Sequence, residues 1–226
     1  MAISGIRWHL NLDVYAQQVD PTVRYTRNPP PERPHGAEES GVDVFEITGY
    51  TPAEQFRGTC VHEAAHAVLR MNVGHRVKSI TVPPVGGREL RSVNGQTVVE
   101  GRARGPWLDF AIATAGGERA EDRWLREVGL WNVERAWVVE RQARGDRADA
   151  VEMVRAGLDE ELTFYGYHEV DTDYAWICDR ADEALNMLWP RVIALGRYLA
   201  EHHLVDGATA ARIAGFDPAT AAATER

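Results

Sequence analysis

The clearest helical pattern in the chain runs from Pro52 to Met71, where Val61, Ala64, Ala65, Val68 and Met71 share one apolar face. Thr51 is a good N-cap, Pro52 suits the first helical position, and Glu54 completes a capping box. Between Phe56 and Met71 only Gly58 opposes a helix, and Gly74 follows as a C-terminal stop. Elsewhere the period is two. Residues 6–15 alternate apolar and polar, so Ile6, Trp8, Leu10, Leu12 and Val14 would line one face of a strand. Residues 77–82 are β-prone and stop at Pro83-Pro84, and Asn94-Gly95 predicts a hairpin turn between residues 90–93 and 96–99. A small sheet is therefore expected after the first helix, its first strand offering a backbone edge to an extended peptide.

The remainder reads as helix. Pro106 opens a helical stretch from Trp107 to about Leu125, whose Gly116-Gly117 pair predicts a close approach of another backbone. Residues 130–143, 145–158 and 171–204 continue the pattern, with Pro190 expected to kink or divide the last. Asp206-Gly207 reads as a turn before a short helix, Ala208 to Ala214. The expected fold is mainly α (α+β). Its divisions are a strand-like segment at 1–26, a Pro-rich linker and lead-in at 27–50, one domain at 51–214 and a tail at 215–226.

Composition removes several functions. A net charge of −9 opposes a nucleic-acid-binding surface, which needs clustered Lys and Arg. No apolar run approaches the roughly 18 residues of a membrane span, and the N-terminus has no signal-peptide core. Two distant cysteines, Cys60 and Cys178, make no disulfide framework, so a cytoplasmic location is expected. Lys78, the single lysine, follows Val77; a P-loop needs Gly-Lys-Ser/Thr, so ATP should not bind.

The candidate chemistry lies in His62-Glu63-Ala64-Ala65-His66. Four apart on a helix, the two imidazoles point the same way and can grip one zinc ion, with Glu63 placed to act on a water. Cys60, two residues from His62, would face away. A hydrolytic zinc site needs a third ligand and an open position. His75 is too near the helix end, and His168, His202 and His203 have no motif around them. Glu121, Asp122, Asp146 and Asp149 are the carboxylate candidates, and spacing alone does not choose among them. Asp146, beside Gly145, also reads as an N-cap.

In combination these stretches resemble the peptidase domain of the FtsH-type ATP-dependent zinc metalloproteases. Thr59 to Val68 is similar to that family's zinc helix, Val77 to Pro83 to the strand after it, and Ala115 to Glu121 to its Gly-Gly helix. Gly145 to Asp149 is similar to its Gly-x-x-Asn-Asp, and Leu185 through Ile213 to its closing helices. The resemblance implies a helical zincin-like fold, with His62, His66 and Asp149 as zinc ligands and Glu63 as catalytic base. Ala65 and Ala148 depart from the family's Gly and Asn, and neither its ATPase module nor its membrane anchor is in this sequence. The expected function is a zinc metalloendopeptidase acting on flexible or unfolded polypeptides, ATP-independent by itself. A homo-oligomer or a separate ATPase is its conceivable partner. Two alternatives are a zinc-containing regulatory or structural module without turnover, and an intracellular zinc peptidase that cuts repressors.

Overall fold

The computed structural model describes residues 8–10, 25–29, 48–83, 95–100 and 106–217. Among them the fold is mainly helical, with a small three-stranded antiparallel sheet. The motif helix α1 (Pro52–Asn72) begins as its sequence predicts. Glu54 N–H donates to Thr51 Oγ1 at 3.2 Å, and Thr51 N–H donates to the Glu54 carboxylate at 2.8 Å. Its interior is not amphipathic: residues on every side are buried, among them Cys60, Ala64, Ala65 and Val68. α1 is the central rod, packed between α2 (Trp107–Glu127) and the long α5 (Tyr174–His202).

Two short helices, α3 (Val133–Gln142) and α4 (Arg144–Leu158), follow α2, and α6 (Gly207–Ile213) closes the described chain. α5 runs through Pro190 as one helix, so the proline does not divide it. The lost N–H costs a hydrogen bond, but Leu185, Leu188, Val192, Leu195 and Leu199 lie in the same core as α1 on both sides of it, and packing outweighs the loss.

Strand β3 (Val77–Thr81) lies between β4 (Gln96–Val99) and β5 (Leu204–Asp206), both antiparallel to it. Two expectations are corrected here. The first strand offers no free edge, because β5 returns from beyond α5 to pair Val205 with Ile80. Asp206, read as part of a turn, ends that strand and then caps α6 by accepting from Thr209 N–H at 2.9 Å. Strand 96–99 pairs with β3; the hairpin partner expected at 90–93, like most of strand 6–15, the linker and the tail, lies outside the described residues.

The described part of the N-terminal segment is packed on the body. β1 (His9–Leu10) pairs with β2 (Tyr25–Thr26), and Trp8 meets Tyr174 edge-on at 5.9 Å. Asn28 is tied to Glu140 by its backbone N–H at 2.8 Å and its side-chain amide at 2.7 Å. Both cysteines are free and buried. No described helix is long and apolar enough to cross a membrane.

Candidate metal centre

α1 carries His62 and His66 one turn apart, and their neighbours fix both rings. His66 Nδ1 lies 2.9 Å from the Ala113 carbonyl oxygen on α2. A carbonyl only accepts, so this nitrogen bears the hydrogen and, in the neutral ring, Nε2 keeps a lone pair. His62 Nδ1 faces Glu121 Oε2 at 3.4 Å, which selects the same tautomer. The two Nε2 atoms are therefore turned toward one another, 3.0 Å apart.

Asp146, in the first turn of α4, closes the group. Its Oδ2 is 3.0 Å from His62 Nε2 and its Oδ1 is 3.4 Å from His66 Nε2. Two lone pairs and a carboxylate converging at such distances repel unless a positive charge sits among them. A proton on an imidazole meets that demand in part. Burial disfavours the charged form of His62, yet Asp146 and Glu121 hold its pKa well above the ordinary histidine value. Burial likewise opposes ionisation of Asp146, and the two imidazoles overcome it, drawing its pKa well below the carboxylate range. A metal ion meets the demand directly: one atom from each of His62, His66 and Asp146 lies within 4.8 Å of the others, and the group can hold one.

Glycines leave the room. A Cβ on Gly117 would stand 2.5 Å from both His62 Nε2 and His66 Nε2, where a metal's ligand nitrogens converge. Gly116, beside it, lets the Leu69 side chain of α1 approach the α2 backbone, so the helices pack closely there through side chains rather than by the expected approach of a second backbone. A Cβ on Gly58 would lie 2.7 Å from Glu121 Oε1, so this glycine opens the path by which Glu121 reaches His62.

Glu63 is buried and lines a cleft of about 260 Å³ together with His66, Asp146 and Asp149. The β4 residue Thr97 donates its hydroxyl to Glu63 Oε2 at 2.7 Å. Gly95 leaves the carboxylate its space, since a Cβ there would fall 2.5 Å from Glu63 Oε1.

The other expected residues separate clearly. Asp149, the third ligand implied by the family resemblance, is not in the metal-holding group; it lines the cleft one turn further along α4. Burial, then the charge of Asp146, raises its pKa, while Arg70 lowers it. Asp146 is no N-cap, because α4 starts at Arg144 with Ala143 as its cap. Glu121 serves His62 from behind. Asp122 is held by Arg126 at 3.0 Å and by the Trp131 indole N–H at 3.0 Å. His75 lies against Phe110 with ring centres 4.3 Å apart, and His168 is bound to Asp179 at 2.6 Å. His202 stacks on Tyr198 at 3.8 Å, and His203 ends α5 with φ 61°.

The sequence reading had no signal for Thr97, which lies in a short strand, or for Arg70, which looks like a surface residue of the motif helix. Only folding brings both to the cleft. No protein-family model matches this chain, and no curated protein matches it in sequence.

Proposed function

We propose that this chain is a zinc-dependent metallopeptidase in which His62, His66 and Asp146 hold the ion and Glu63 is the general base. One observation carries the reading: both Nε2 atoms and the Asp146 carboxylate converge at 3.0 to 3.4 Å, with both Nδ1 atoms already committed to Ala113 and Glu121. Tetrahedral zinc with bonds of about 2.0–2.1 Å separates its ligand atoms by about 3.3 Å, close to these distances. Two histidines and one carboxylate have the ligand number of a hydrolytic zinc site rather than of a closed structural one. The Glu121 carboxylate behind His62 and the Ala113 carbonyl behind His66 add basicity and fix orientation.

Zinc bound there supplies Lewis acidity, activating water and polarising the substrate carbonyl. Glu63 accepts the proton of the water as its oxygen bonds to the carbonyl carbon. Glu63 then gives that proton to the amide nitrogen as the C–N bond breaks. Thr97, donating to Oε2, holds the carboxylate in one orientation and leaves Oε1 for the water. The cleft holds about 260 Å³, which favours flexible or unfolded polypeptides as substrates, and the single lysine, Lys78, lies in no P-loop motif, so turnover should not depend on ATP.

The test is metal content measured beside peptide hydrolysis for the wild type and Glu63→Gln. The variant should keep stoichiometric zinc and lose about 10²–10⁴-fold in kcat. Hydrolysis by Glu63→Gln at the wild-type rate defeats the mechanism, and zinc without hydrolysis in the wild type favours a non-catalytic metal module.

A further inference from the structure

Arg70 lies one turn beyond His66 on α1 and lines the same cleft as Glu63 and Asp146. Two contacts fix its plane. One guanidinium nitrogen donates to Thr114 Oγ1 at 3.0 Å, and the guanidinium carbon sits 5.0 Å from the centre of the Phe110 ring. The buried arginines among the described residues are matched with acids: Arg119 with Asp182 at 3.0 Å, Arg147 with Glu118 and Glu140 at 2.8 Å each, whereas Arg70 is half-buried. Arg70 differs. Among the described residues no carboxylate forms an ion pair with it, although Asp146 and Asp149 share its cleft. A guanidinium has five N–H donors in a rigid fork suited to a carboxylate, and Thr114 accepts from one.

Charge and spacing agree. Glu63, Asp146 and Asp149 outnumber Arg70 by two negative charges in the cleft lining, and a divalent ion at the histidines cancels that excess. An incoming anion then meets a neutral cleft with a single organised donor fork. Four residues of helix advance about 6 Å, roughly the length of two extended peptide residues. The geometry points to Arg70 as a specificity residue that binds a substrate carboxylate one or two residues from the scissile carbonyl. This rests on the peptidase reading. The carboxylate belongs either to the substrate's C-terminus or to an Asp or Glu side chain; the chemistry at Arg70 is the same.

The experiment reads binding, so that it does not depend on turnover. Zinc-loaded Glu63→Gln protein is titrated by calorimetry with four hexapeptides. One has a free C-terminal carboxylate, the second is its amide, the third is the amide with one internal Glu, and the fourth has Gln in that place. We expect at least about tenfold tighter binding of one acid over its neutral counterpart, with the pair that shows it naming the source. Arg70→Gln, in the same background, abolishes the difference; Arg70→Lys, which keeps the charge without the fork, reduces it and serves where the Gln variant does not fold. Equal binding of all four peptides, no binding of any, or a preference that survives both substitutions overturns the assignment. A carboxylate preference without hydrolysis by the wild type would leave Arg70's role standing and remove the peptidase reading.

Discussion

Adjacent residues of α4 serve two charge clusters of opposite kind. On one side Arg147, wholly buried, donates to Glu118 at 2.8 and 3.0 Å and to Glu140 at 2.8 Å, while the Tyr25 carbonyl accepts from it at 3.1 Å. Glu140 in turn accepts from the backbone of Arg27 and Asn28 at 2.8 Å each. Both carboxylates there accept from strong donors. On the other side Asp146 faces two imidazoles whose Nε2 atoms lie 3.0 Å apart. The first cluster is complete in itself and fastens the N-terminal segment and α2, α3 and α4 together. The second is made of atoms that can ligate a metal ion. Buried polar groups pair off where the fold needs only stability, and the second set is instead a group that can hold a metal ion.

The largest effect should come from breaking the complete cluster. Arg147→Ala strands two buried carboxylates and should cost about 3–5 kcal/mol in urea unfolding. Combining Arg147→Met with Glu118→Gln and Glu140→Gln should restore part of that, since no uncompensated charge remains. A single Arg147→Ala with an unchanged midpoint would mean the network is dispensable.

The second cluster should respond in metal affinity instead. Asp146→Asn replaces a carboxylate ligand with a poor one and should weaken zinc binding by more than about 100-fold, close to 2.7 kcal/mol. Asp149→Asn should stay within about threefold of wild type. Titration against a competing chelator reads both, and the reverse ranking would return the third position to Asp149.

Glu121→Gln acts through His62 and should cost about tenfold in zinc affinity, the low end for such supporting carboxylates because the contact is 3.4 Å long. The pH dependence has a definite sign. His62 has a raised pKa without metal, and zinc takes the neutral ring, so below that pKa each ion must displace a proton. Affinity should therefore climb about tenfold per pH unit and level off above the raised pKa. In Asp146→Asn the levelling point should move down toward ordinary histidine; an unmoved profile would show that Asp146 is not what raises it.

The smallest effect is expected far from either cluster. Thr51→Ala removes one half of the capping box of α1 and should lower stability by about 1 kcal/mol, with zinc affinity unchanged. Loss of metal together with the cap would tie the site to fraying of the helix start.

Much of this was legible along the chain. The capping box, the helix from Pro52 and the convergence of His62 with His66 all depend on residues within a turn or two of each other. Glu121 was visible only as one of several carboxylates, and Thr97 not at all. The free edge expected at residues 77–82 failed because three residues, Leu204–Asp206, pair with β3 from more than 120 positions away. So short a strand carries no periodic signal of its own.

The choice between Asp146 and Asp149 shows where sequence stops. Three apart, they lie near one face of α4, and which of them reaches the histidines depends on how α4 is rotated about its axis. The buried positions of that helix, Arg147, Ala150 and Val154, set the rotation, and Arg147 does so by reaching Glu118 on α2 and Glu140 on α3. Sequence by itself determined the two imidazoles and the carboxylate of Glu63, because a 3.6-residue period is a local property of one helix. Tertiary structure decided the third member of the group, because it follows from the docking of three helices around buried charges that no local period encodes.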